Sequence, residues 1–124
     1  MRYNVSIEGQ LITMTDIRTR TGSTYLRVDN DRIYDTSGRL LFTVNGNMVC
    51  DYMGRYVYRI DSDRVNYSNG GWFLRFDRDY VYDNRGSWVY RIDQNRIYNS
   101  NGSLAYTIEG YLSRLMTMAV IAVL

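Results

Sequence analysis

The chain repeats one sixteen-residue unit, which reads RIYDTSGRLLFTVNGN at residues 32–47. In this unit a short β-branched and aromatic run precedes an Asp-x-x-Gly turn, and a longer run precedes a turn of the form Asn-x-Asn. Both runs are rich in residues that favour strands, and both breaks carry residues that favour turns. The unit therefore predicts a β-hairpin followed by a connection to the next hairpin.

The repeat keeps its register over most of the 124 residues. An aliphatic residue lies five positions before each repeated glycine and an apolar residue lies six positions after it; the glycines are Gly22, Gly38, Gly54, Gly70, Gly86 and Gly102. Units of this kind bury their apolar faces by packing against their neighbours. We therefore predict a single domain with six hairpin repeats at residues 16–110.

The longer strand of each unit predicts which face is buried. Its first, third and fifth positions are large and apolar, as in Leu40, Phe42 and Val44, and its fourth position is Arg or Thr. Strict alternation places the first set inside and the Arg/Thr set outside. The second position is also apolar, so the outer face is expected to be only partly polar. The Ile33 column is always Ile or Val, which favours the inner face, although a one-residue slip of the turn would reverse this.

Two terminal segments depart from the repeat. Residues 1–15 contain VSIEGQL, which echoes YTIEGYL at residues 106–112, and predict an additional strand that closes or caps the ring. Residues 111–124 lack turn signals and alternation, and their Ala, Leu and Met content predicts a helix. A helix that is apolar on all sides is buried. About 13 residues reach roughly 20 Å, whereas crossing a bilayer takes about 20 residues.

These features together predict the architecture. Six hairpins supply twelve short strands, and a ring of that size is too wide for side chains alone to fill. A helix of about 20 Å matches the length of five- or six-residue strands. We expect an all-β fold with one C-terminal helix, in which six 16-residue hairpin repeats close into a shallow, roughly twelve-stranded barrel around that apolar helix. Contact with a partner and membrane insertion are alternative roles for the tail.

Serial hairpins of the form Ile-Tyr-Asp-x-x-Gly-x-Leu, as at residues 33–40, closed by an apolar C-terminal segment, resemble the β-flower family of small bacterial proteins. The plan of residues 17–124 is also similar to tubby-like and scramblase-like domains, in which a twelve-stranded barrel surrounds an apolar helix. The Tyr-Asp-x-x-Gly runs further resemble the YD-repeat shells of teneurins and bacterial toxins. Tubby-like domains hold phosphoinositides through basic residues, so this resemblance implies a lipid partner. This sequence contains no matching motif, so no individual lipid-binding residue is assigned from the resemblance.

Composition argues against catalysis. The chain has no His and a single Cys, so it offers no Ser-His or Cys-His arrangement. Cys50 shares its column with several tyrosines and is interpreted as a packing residue. Pairs of turn aspartates such as Asp29 and Asp31 lack the further oxygen ligands and closing Glu of a calcium loop, so we interpret them as turn caps. We predict no enzymatic activity, no catalytic residue, no cofactor and no metal site.

The outward Arg column supplies the candidate binding residues, which are Arg27, Arg59, Arg75 and Arg91. A ring of Arg side chains could grip the phosphates of anionic lipid, and the alternatives are a salt-bridged, Tyr-stacked exterior, single-stranded nucleic acid, or sugar rings on exposed aromatics. The turn aspartates would repel a nucleic-acid backbone, which makes that partner the weaker prediction.

We therefore expect a non-enzymatic binding or anchoring module for anionic lipid or a membrane surface. The alternative is a protein–protein assembly scaffold that uses the second-position apolar residues. The reduced thiol and the absence of a continuous apolar run in residues 1–12 predict a cytoplasmic protein, with membrane association as the alternative. The C-terminal segment is short for a membrane span, so we expect a protein that is not transmembrane.

Overall fold

The structure, a computed structural model, describes residues 3–7 and 10–124, with side chains from Met14 onward. Residues 1, 2, 8 and 9 of the N-terminal segment that was expected to close the ring lie outside the described residues. Strands β1 to β7 span Tyr3–Ile7, Gln10–Thr19, Thr24–Asp29, Arg32–Tyr34, Leu40–Asn45, Met48–Asp51 and Tyr56–Asp61. Strands β8 to β13 span Arg64–Tyr67, Trp72–Asp77, Tyr80–Asp83, Trp88–Asp93, Arg96–Asn99 and Leu104–Glu109, and helix α1 spans Arg114–Val123.

Strands β2 to β13 form a closed antiparallel barrel of twelve strands. Each strand from β2 onward pairs with the next one in sequence, and β2 also pairs with β13. The predicted barrel of hairpins with one C-terminal helix is therefore confirmed.

The ring closes on β2, which has ten residues where the other barrel strands have three to six. Its residues 10–14 pair with β1, and residues 16–19 pair with β13. The strand pairs that close the ring against β13 therefore begin at residue 16, directly after the segment 1–15 that was expected to close it. Strand β1 pairs with the first half of β2 and extends the sheet beside the ring.

One rim of the barrel carries the repeated glycine turns, and we call it the glycine rim. In the β4–β5 turn the Oδ1 atom of Asp35 accepts hydrogen bonds from the backbone N–H groups of Ser37 and Arg39, at 2.9 and 3.0 Å. Gly38 completes the turn with a φ of +88°, a conformation that costs L side chains free energy. The opposite rim carries two-residue turns whose first residue also has positive φ, as at Asn30 and Gly46, and we call it the Asx rim.

Every repeat contains a β-bulge in its longer strand, and this corrects one prediction. Ile33 pairs with Phe42 but Tyr34 pairs with Leu40, so Leu41 is an extra residue. The same shift occurs in all six repeats. Because a bulge breaks strict alternation, the prediction that first-position residues point inward is wrong. They lie opposite outer-face residues, and the second-position residues Leu41, Phe73 and Val89 pack against the core instead.

The core contains the barrel interior and the helix. The column predicted for the inner face is completely buried, with 0% exposure at Ile17, Ile33, Val49, Val65, Val81 and Ile97. Met118, Ala119, Val120 and Ile121 of α1 belong to the same cluster of buried side chains. Ser113 caps the helix by accepting a hydrogen bond from the Met116 N–H at 3.1 Å. The helix begins near the Asx rim, where the Arg114 guanidinium lies 5.4 Å from the centre of the Phe76 ring.

Candidate binding surfaces on the barrel

The four predicted arginines lie on the outer face, but they do not form one cluster. Arg59, Arg75 and Arg91 occupy the same position on β7, β9 and β11. Alternate strands of a sheet lie about 10 Å apart, so these three residues form a row. Arg27 is on β3, four strands away from either end of that row.

Each arginine of the row has an aspartate two residues further along its own strand. The nitrogen–oxygen distances are 2.6 Å for Arg59 and Asp61, 3.9 Å for Arg75 and Asp77, and 3.8 Å for Arg91 and Asp93. Exposed pairs of this kind contribute at most about 1 kcal/mol to stability. The positive charge of the row is therefore partly neutralised by the aspartates. Arg59 has a close ion pair, whereas Arg75 and Arg91 lie near the limit of ion-pair distance.

Tyrosines of the neighbouring strands hold two of these guanidinium groups in place. Arg75 lies 4.6 Å from the centre of the Tyr82 ring, and Arg91 lies 4.4 Å from that of Tyr98. Such cation–π contacts order the side chain while the guanidinium N–H groups remain able to donate. The exterior thus has the ion pairs and stacked tyrosines that the sequence analysis weighed as an alternative.

The bulge adds aromatic side chains that sequence reasoning had placed inside. Tyr56, Trp72 and Trp88 lie opposite the outer-face residues Cys50, Asn66 and Tyr82. Tyr56 and Trp88 are 36% and 37% exposed. We name the six residues Tyr56, Arg59, Trp72, Arg75, Trp88 and Arg91 the outer Arg–aromatic face. Consecutive apolar residues after the glycine turn were the sequence signal for the bulge.

The inner face near the glycine rim is lined by tyrosines. The ring centres of Tyr25 and Tyr106 are 5.6 Å apart, and Tyr90 and Tyr106 line a cavity of about 320 Å³. Burial raises the pKa of both Tyr90 and Tyr106, and the nearby phenol of Tyr25 adds to this effect. These hydroxyls therefore stay protonated at neutral pH and can donate hydrogen bonds. Sequence reasoning assigned the inward aromatics to core packing and missed this cavity.

A second aromatic group lies elsewhere on the same rim. The rings of Tyr58 and Phe73 stack with centres 5.4 Å apart and planes 13° from parallel, and Tyr67 lies 5.0 Å from Phe73. Tyr58 and Phe73 cover each other's faces, and Tyr67 packs against Phe73 with its ring tilted by 30°.

The seam where the barrel closes holds a buried charge. The Asp16 side chain is 1% exposed, and its carboxylate lies 3.5 Å from the Arg18 guanidinium and 3.7 Å from that of Arg27. Asp16 Oδ1 makes no hydrogen bond to the part of the chain that is described with side chains. The sequence carried a signal for this site, because the same column holds Arg, Met or Tyr in the other repeats.

The described residues contain no group of three His, Cys, Asp or Glu side chains that could hold a metal ion. Cys50 is a half-buried free thiol. No helix in the described part of the chain has both the length and the apolar character needed to span a membrane.

Comparison with known proteins gives no assignment: scans against family models, curated proteins and solved structures each return no match. The resemblance to β-flower and tubby-like proteins therefore stays a prediction, and the function has to be inferred from the surfaces themselves.

Proposed function

We propose that this protein is a non-catalytic binding module whose outer Arg–aromatic face binds the surface of an anionic membrane. One observation carries the proposal: three alternate strands present an arginine and a large aromatic side chain on the same outer face, in two parallel rows. The rows have the same order on each strand, with the aromatic residue nearer the glycine rim.

The two rows suit the two layers of a membrane surface. Trp and Tyr rings favour the interface between headgroups and acyl chains. Arginine donates paired hydrogen bonds to phosphate, and a basic residue near an anionic surface contributes about 1 kcal/mol to binding. Rings that enter the interface would place the neighbouring guanidinium groups among the phosphates.

The ion pairs predict which arginines matter most. Arg75 and Arg91 lie 3.8–3.9 Å from their aspartates, beyond hydrogen-bond distance, so their N–H groups are available to a phosphate. Arg59 donates through Nε to Asp61 at 2.8 Å and would have to break that bond. We therefore expect Arg75 and Arg91 to contribute more than Arg59.

Vesicle flotation tests the proposal with the full chain. The protein should float with vesicles of phosphatidylcholine and phosphatidylserine, remain at the bottom with phosphatidylcholine alone, and dissociate as salt is raised. The variant R75Q/R91Q should lose most of this binding. R32Q/R39Q removes the same charge from exposed arginines of β4 and its turn, and should bind nearly as the native chain does. Equal losses in the two variants, or no flotation of the native chain, would refute a specific face.

A protein–protein assembly module is the second candidate. The exposed aromatic rings favour it, but with a different contact surface from the one that the sequence suggested. Three of the second-position residues suggested by the sequence, Leu41, Phe73 and Val89, pack against the core. The contact surface would therefore consist of the exposed rings of Tyr56, Tyr80 and Trp88. The ring centres of Tyr80 and Trp88 are 5.4 Å apart, which forms a continuous apolar patch. Light scattering separates the candidates: an oligomer that W88S converts to a monomer would support assembly, and a strict monomer at high concentration would count against self-assembly.

A further inference from the structure

The cavity at the glycine rim differs from the outer face in both shape and chemistry. It has a volume of about 320 Å³ and is lined by Tyr90, Tyr106, Thr19, Arg20 and Asn99, with Leu104 and Ala105. This volume lies at the lower end of the range of about 300–1,000 Å³ found for small-molecule sites. Because the cavity is widely open to solvent, it suits a ligand of about one ring that stays partly exposed.

Its aromatic walls are available to a ligand. Tyr106 lines the cavity, and the Tyr25 ring beside it is tilted by 34° with its centre 5.6 Å away, so Tyr25 does not cover the Tyr106 face completely. The Tyr58 and Phe73 rings, 13° from parallel, are stacked on each other. Tyr106 thus keeps aromatic surface free, whereas Tyr58 and Phe73 use theirs in packing against each other.

The polar groups at the edge of the cavity have hydrogen-bonding capacity that the protein itself does not fill. The exposed Arg20 makes no hydrogen bond or ion pair with any residue described with side chains, that is residues 14–124. The Asn99 amide donates a long bond of 3.3 Å to the Ser103 hydroxyl. The Tyr90 and Tyr106 hydroxyls remain donors at neutral pH. The Thr19 hydroxyl shares a 3.0 Å hydrogen bond with that of Thr21 and keeps further capacity to bond. The cavity therefore carries a guanidinium that is unpaired within residues 14–124, together with hydroxyl and amide groups that can bond a ligand.

We propose that this cavity binds a pyranose sugar that carries a carboxylate. The apolar C–H face of the ring would pack on the Tyr90 and Tyr106 rings, whose faces carry partial negative charge. Asn99, Thr19 and the tyrosine hydroxyls would hydrogen-bond the sugar hydroxyls. The Arg20 guanidinium would hold the carboxylate through two parallel hydrogen bonds. This site is separate from the outer face and does not depend on membrane binding.

NMR titration of the full chain tests the proposal with three probes: glucuronate, glucose and acetate. We expect saturable shifts of the backbone amides around Arg20, Asn99 and Tyr106, with a Kd for glucuronate of about 1 mM, as is usual for a ligand of this size. Glucose and acetate each lack one of the two recognised features, and should bind roughly ten times more weakly.

Variants decide which residues are responsible. R20A should weaken glucuronate binding about tenfold and leave glucose binding unchanged, because only the carboxylate contact is lost. R39A, which alters another exposed arginine of the same rim outside the cavity, should bind glucuronate normally. Y106L should weaken both sugars, and Y67L, in the stacked group, should weaken neither. R20A lies in an exposed turn, so its result stands even where Y106L fails to fold.

The proposal fails on any of four results. They are the absence of a saturable shift, shifts that lie away from the cavity, equal affinity for glucuronate and glucose, and equal affinity for glucuronate and acetate. Unchanged glucuronate binding in R20A would equally overturn it.

Discussion

The guanidinium of Arg91 lies 4.4 Å from the centre of the Tyr98 ring, which belongs to the neighbouring strand of the barrel. Arg75 and Tyr82 repeat this relationship one hairpin earlier, at 4.6 Å. Tyr34 occupies the same position in its own repeat, opposite Arg27, but Arg27 is directed to Asp16 at the barrel seam. Identical repeat positions therefore serve different contacts, because each depends on what lies on the adjacent strand.

The Arg91–Tyr98 contact should contribute measurably to stability. We expect Y98L to lower the free energy of unfolding by about 0.5–1 kcal/mol more than Y34L does, because the first substitution also removes a cation–π contact. Urea denaturation of the two variants measures the difference. Equal values would mean that the tyrosines act through packing alone.

Two adjacent glycines allow a matched test of backbone strain. Gly70 has a φ of +96°, whereas Gly71 is outside the left-handed region, and a Cβ there would meet Asn69 Oδ1 at 3.4 Å. We expect G70A to destabilise the protein by about 1–2 kcal/mol and G71A to have a smaller effect. Thermal unfolding of both variants checks this. A larger loss for G71A would contradict the conformational role assigned to the repeated glycine.

The buried carboxylate at the seam should matter more than the exposed ones. D16A removes the shared partner of Arg18 and Arg27, and we expect it to destabilise the protein by about 2–4 kcal/mol. D93A removes an exposed partner of Arg91 and should cost less than about 1 kcal/mol. Chemical denaturation gives both values, and similar costs would show that the seam has no special role in closing the ring.

The glycine-rim turns predict a loss of stability in acid. The Ser37 hydroxyl and the Arg39 backbone amide hold the pKa of Asp35 below its ordinary value of 3.8. A carboxyl whose pKa is lowered in the folded state stabilises the protein above its unfolded pKa, and this stabilisation is lost as pH falls through the folded pKa. Stability should therefore decrease below about pH 4, and D35N should show a shallower decrease. Identical acid profiles of the two proteins would argue against this role.

The C-terminal helix should be required for folding. Removing residues 114–124 deletes the buried side chains of α1 that fill the barrel, so we expect no cooperative thermal transition and loss of the β-sheet circular dichroism signal. The milder V120A, at a side chain that is 1% exposed, should cost about 2 kcal/mol. R114A, at the exposed start of the helix, is the control. A truncated chain that unfolds cooperatively would show that the helix is dispensable.

The periodicity of the sequence was sufficient to predict the hairpins, their number, the inner Ile33 column and a buried C-terminal helix. All of these depend on local turn chemistry and on apolar residues recurring at a constant spacing. The same reasoning failed at Trp88, which alternation placed inside. A single extra residue in the ladder reverses the side-chain direction beyond it, and the sequence alone does not say which of two apolar neighbours is the extra one.

The candidate binding sites likewise combine features that the sequence predicts with features that only the tertiary structure shows. The sequence by itself identified an outward Arg column, because strand alternation is a local property. Only the tertiary structure decided that Arg75 and Arg91 are stacked on tyrosines, that Asp16 is buried at the seam, and that Tyr90 and Tyr106 line one cavity beside Tyr25. Tyr25 and Tyr106 are far apart in the chain but lie close together because β2 joins β3 to β13. That closure comes from the pairing of distant strands, and no sixteen-residue unit contains it.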